Sequence, residues 1–71
     1  MGINGLKVRE LRNAAGITQE ELGIAVGVTQ SMIDFIERGI KQPSLEVAGR
    51  IASHFGVLVD DLLHKKSSQN D

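Results

Sequence analysis

The sequence of 71 residues has no cysteine, two phenylalanines as its only aromatic residues, and a single proline, Pro43. Without cysteine, neither disulfides nor a Cys-based zinc site can stabilise the chain. A domain this short must then rely on close helix packing or on a partner subunit. His54 and His64 are ten residues apart with no second ligand pair at useful spacing, so no metal site is expected. No stretch approaches the roughly eighteen apolar residues of a membrane span. The opening MGINGLKVRE lacks the apolar run of a signal peptide, so the expected location is cytoplasmic, with no membrane partner. Leu6 stands where a myristoylation signal requires Ser or Thr. An excess of positive charge is also missing: eight Lys and Arg against nine Asp and Glu give a net charge of −1, which does not advertise a polyanionic partner. No nucleophile is paired with a base and there is no room for a substrate pocket, so neither catalysis nor a cofactor is expected.

What remains is a helical pattern. Leu6, Val8, Leu11 and Ala15 suit a first helix ending near Gly16. TQEEL opens a second with a capping box, Thr18 as the cap and Glu21 three residues on. Gly27 can take the left-handed conformation that stops this helix. Thr29 is placed to cap a third helix running to about Arg38. Two short helices joined by so tight a turn must cross at a large angle, the helix-turn-helix geometry. GIKQPS reads as a loop in which Ser44 caps a fourth helix, LEVAGRIASHF, up to Gly56. VDDLLHK reads as a fifth, with Asp60 and Asp61 in its first turn where the helix dipole favours negative charge. The predicted organisation is one all-α domain over residues 1–64 and a disordered polar tail over 65–71.

These segments resemble the Cro/cI-type (XRE-like) helix-turn-helix DNA-binding domains, from about Leu6 to Leu63. The strongest parts are LRNAAGITQEELG, GVTQSMIDFIERG, and QPSLEV followed by IASHFGV. The resemblance implies a compact five-helix bundle of the lambda-repressor type whose third helix enters the major groove of double-stranded DNA. Carried over by position, it implies a phosphate contact for Gln19, base-edge contacts for Gln30, Ser31 and Phe35, and a capping and backbone role for Thr29. A Gln amide suits adenine N6 and N7, and Ser can donate or accept. Helical arithmetic, at about 100° per residue, separates Ile33, Ile36 and Glu37 from Ser31, Phe35 and Arg38. The apolar group is the inward one.

Glu37 on that inward side requires a partner. The resemblance supplies Arg12, pairing helix 1 with the end of helix 3 as a structural ion pair rather than a DNA contact; the alternative is two exposed, weakly coupled charges. Asp34 departs from the small polar residue, and Phe35 from the polar or basic residue, usual at these places in the family. Asp34 suits either cytosine N4 or a general weakening of non-specific binding. Phe35 suits a thymine methyl, or a partner protein or neighbouring helix. Cations available to phosphate are few: Arg38 and Lys41, with Lys7 and Arg9 from the first helix. Leu58, Val59 and Leu63 either close the core or form a homodimer interface. A twofold dimer would set two third helices about 34 Å apart and select a palindromic operator. The leading expectation is thus a sequence-specific DNA-binding transcriptional regulator. The other is a protein-interaction module on the same scaffold, binding a regulatory protein through Phe35, Asp34 and the apolar patch.

Overall fold

Short polar side chains start four helices by accepting from backbone N–H groups that the first turn leaves free. Asn4 accepts from Leu6, Thr18 from Glu21, Thr29 from Met32 and Ser44 from Val47. In this computed structural model, which describes residues 2–64, the helices are α1 (Gly5–Ala15), α2 (Gln19–Val26), α3 (Gln30–Glu37) and α4 (Leu45–Phe55). The α2 cap is a full capping box, with Glu21 Oε1 accepting from the Thr18 N–H at 2.8 Å. Gly16, Gly27 and Gly56 end α1, α2 and α4 at φ of 72°, 82° and 68°, a region that residues with a Cβ avoid.

The fifth helix expected over VDDLLHK is instead a single 3-10 turn, Val59–Leu62. Leu58, at its cap position, carries no acceptor, and the start is held only by Asp61 Oδ2 accepting from the Leu58 N–H at 2.9 Å. At Leu63 the backbone becomes extended, φ −78° and ψ 152°, and pairs with Ile3 in an antiparallel bridge. Among the described residues the architecture is therefore all-helical, with four α-helices closed by one 3-10 turn. The tail expected over 65–71 lies outside the described residues. No helix among the described residues is long and apolar enough to cross a membrane.

Every element contributes to one core. Val8 of α1, Leu22 and Val26 of α2, Ile33 and Ile36 of α3, Ile51 of α4 and Leu62 of the 3-10 turn are fully enclosed. Each such side chain stabilises the fold by roughly 1.5–3 kcal/mol over its exposed state. Two glycines permit the close approaches that place α3. A Cβ on Gly23 would lie 2.6 Å from the Val28 carbonyl oxygen, so α2 folds directly onto the turn that follows it. A Cβ on Gly5 would run into the backbone carbonyl oxygens of Ile36 and Glu37, so the start of α1 rests on the end of α3.

The two ends of the described chain are clasped. Asn4 N–H donates to Leu62 O at 2.6 Å and His64 N–H to Gly2 O at 2.9 Å. Gln42, in the loop after α3, completes the arrangement: its Oε1 accepts from Ile3 N–H at 2.7 Å and its Nε2 donates to Ile3 O at 3.3 Å.

Candidate nucleic-acid interface

α3 is eight residues long and presents two chemically distinct faces. Ile33, Ile36 and Glu37 are buried, while Gln30, Ser31 and Arg38 are exposed and Asp34 and Phe35 half-buried. Thr29, itself exposed, accepts from Met32 N–H at 3.1 Å, so the first-turn N–H groups of Gln30 and Ser31 remain free to meet an anion. Beyond the helix end, Lys41 Nζ lies 5.4 Å from the centre of the Phe35 ring, close enough for a cation–π attraction. Arg38 Nη2 lies 3.1 Å from Asp34 Oδ2, one turn back on the same helix.

Behind this face, the Glu37 carboxylate is entirely enclosed and gathers donors from two other helices. Arg12 Nε donates to Oε2 at 2.6 Å and Arg12 Nη2 to Oε1 at 3.2 Å; Gln19 Nε2 and Arg9 Nε reach Oε1 at 3.1 and 3.4 Å. Arg12 Nη1 donates in addition to Ile17 O at 2.9 Å. Burial alone pushes the Glu37 carboxyl up, but the hydrogen bonds from Arg12 and Gln19, the charge of Arg12 and the hydrogen bond from Arg9 outweigh it. The net direction is below the usual carboxylate range. The Arg12 guanidinium is raised, chiefly by its hydrogen bonds to Glu37 and against the effect of its own burial. The arrangement fixes α1, α2 and α3 to one another immediately beneath the exposed face.

Gln19 has a second partner: its Nε2 also lies 3.3 Å from Asp34 Oδ1. Both amide donors are thus directed at carboxylates, and a phosphate at Gln19 has to take the place of one of them. Arithmetic on α3 alone does not reveal this link, because it spans two helices. The same holds for Arg9, which turns toward Glu37 rather than standing apart with Lys7.

The sequence model of the helix-turn-helix family matches residues 8–62. The chain belongs to that family, in its Cro/cI (XRE-like) branch. An HTH-type transcriptional regulator of Archaeoglobus fulgidus is 45% identical over 56 residues, covering 79% of this chain and 80% of the relative. Among solved structures, the P22 c2 repressor in complex with synthetic operator 9T superposes with a TM-score of 0.84 at 27% identity, over 93% of this chain and 100% of that one. The restriction-modification controller protein C.AhdI from Aeromonas hydrophila gives 0.77 at 32% identity, over 83% and 89%.

Away from α3, this helix-turn-helix chain exposes several large apolar side chains, among them Ile24, Leu45 and Leu58. Val59 and Leu63, the other residues expected at an interface, are half-buried and pack against the core. A shallow groove lined by Pro43, Leu45, Ala48, Val59 and Leu63 runs between the loop before α4 and the 3-10 turn.

Proposed function

We propose that this protein is a DNA-binding transcriptional regulator that acts as a homodimer on a palindromic operator, reading bases from α3. The observation that carries the reading is the exposed start of α3, where Gln30 and Ser31 project from a rigidly held helix with unpaired first-turn N–H groups beneath them. Gln30 can pair with adenine N6 and N7, Ser31 can serve as donor or acceptor, and Phe35 offers an apolar surface to a thymine methyl. Thr29, Arg38, Lys41 and Gln19 surround this group and supply the phosphate contacts that set register. For Gln19 and Arg38 these contacts are made in exchange for their carboxylate partners in the free chain. In this reading Arg12 and Glu37 form a structural pair and stay away from DNA. Leu58 at 68% exposure, with Val59 and Leu63 beside it, supplies apolar surface for a second copy.

Selection from a random duplex library at low and moderate salt tests the reading. A palindrome with half-sites about one helical turn apart is the expected product. Gln30→Ala should lose specific binding while its thermal midpoint stays near that of the wild type. The competing reading, a protein-interaction module, is favoured by the half-buried Phe35 beside Lys41 and by the net charge of −1. It predicts that folded protein enriches nothing at either salt and that Gln30→Ala changes no affinity.

A further inference from the structure

The outward face of α3 carries a carboxylate where a polyphosphate partner would be expected to exclude one. Asp34 is held from two sides: Oδ1 by Gln19 Nε2 at 3.3 Å, from α2, and Oδ2 by Arg38 Nη2 at 3.1 Å, one turn on. A carboxylate offers about four lone-pair sites, so each oxygen keeps acceptor capacity, and the side chain remains 35% exposed. Its neighbours along the same face are Ser31 and Arg38, both exposed.

Resting on the DNA-reading proposed above, we infer that Asp34 is a specificity-determining residue that accepts from cytosine N4 and selects a C·G pair. An ionised carboxylate can only accept, and the major groove offers two base donors, cytosine N4 and adenine N6. In an A·T pair the donor sits between two acceptors, adenine N7 and thymine O4, so the second carboxylate oxygen meets an acceptor on either side. In a C·G pair the donor lies at one end and both guanine acceptors at the other. There the Asp34 carboxylate can take the N4 hydrogen from the end of the pair, with its second oxygen clear of the guanine acceptors. Gln19 and Arg38 are positioning residues here: they fix the carboxylate and offset its charge until the base arrives. Opposite guanine or thymine the same carboxylate faces only acceptors and phosphates, and opposite adenine a donor flanked by acceptors, which weakens binding to non-cognate DNA.

The test is the duplex-library selection run in parallel on the wild type, Asp34→Ala and Asp34→Asn, each shown to be folded by its thermal transition. Wild-type half-sites should contain one position where cytosine is required, and replacing it should weaken binding roughly ten- to a hundredfold. Asp34→Ala should lose preference at that position alone. Asp34→Asn, which keeps the side-chain shape if the alanine variant is unstable, should move the preference there to adenine, because an amide pairs with adenine N6 and N7. Retention of cytosine by both variants, or wild-type half-sites without a required cytosine, overturns the assignment and leaves the DNA-reading intact. A wild type that enriches no site defeats the DNA-reading itself, and this assignment with it.

Discussion

Replacing Glu37 with alanine removes the acceptor on which Arg12, Gln19 and Arg9 converge. The Glu37 side chain has no solvent exposure and that of Arg12 only 13%, so water cannot easily replace the lost partner. Breaking such a pair from one side costs about 3–5 kcal/mol, because the remaining charge is left buried and unpaired. A domain of this size has roughly 4–11 kcal/mol of stability in total, and each kcal/mol shifts its thermal midpoint by about 4–8 °C. The expected result of Glu37→Ala is a midpoint lowered by at least about 12 °C, followed by circular dichroism. Glu46→Ala is the internal comparison. It breaks the Arg50–Glu46 pair, which has a similar 2.8 Å separation but side chains 52% and 73% exposed, and should cost less than about 1 kcal/mol, counting its place in the first turn of α4. A Glu37→Ala midpoint within about 4 °C of the wild type would refute the reasoning. So would an effect no larger than that of Glu46→Ala.

Other consequences can be measured on the same preparations. The Glu37 carboxyl lies below its ordinary value of 4.5 in the folded chain, so the unfolded chain binds more protons in the interval and stability rises with pH there. Its contribution is complete above that ordinary value and is lost as pH falls through the folded one; Glu37→Gln should flatten this acid limb in urea titrations. Gly49, inside α4, has nothing within 4 Å of an added Cβ, so Gly49→Ala should stabilise by about 0.5–1 kcal/mol and raise the midpoint. Gly5→Ala, which drives a methyl into the α3 backbone, should destabilise by about 1–3 kcal/mol. If a dimer neutralises roughly four to six phosphates, the logarithm of specific affinity should fall against the logarithm of salt with a slope of about −4 to −5.

The features legible in the sequence are those set by neighbouring residues. Thr18 with Glu21, Thr29 and Ser44 announce helix starts, and Gly16, Gly27 and Gly56 their ends, because capping depends on groups no more than a few residues apart. The inward side of α3 follows in the same way from its own periodicity. What the sequence conceals is set between elements. Gln19 meets Asp34 and Glu37 only once α2 has crossed α3, and Gln42 reaches Ile3 across 39 residues of chain. VDDLLHK shows the limit of local reading. Its acidic first turn suits a helix, yet the absence of a capping acceptor at Leu58 and the pairing of Leu63 with Ile3 leave room for a single 3-10 turn. At the candidate interface, residue types on α3 indicate what could touch a base, but not that Arg38 and Lys41 already have intramolecular partners.

The clasp between residues 2–4 and 62–64 bears on the order in which the molecule can be completed. α2 and α3 pack within a short stretch of chain, and their turn can close as soon as both helices have left the ribosome. The backbone partners of Asn4 and Gly2, by contrast, are Leu62 and His64, which are made some sixty residues later. During synthesis Ile3 can therefore be met by Gln42 well before the backbone bonds of Gly2 and Asn4 can close.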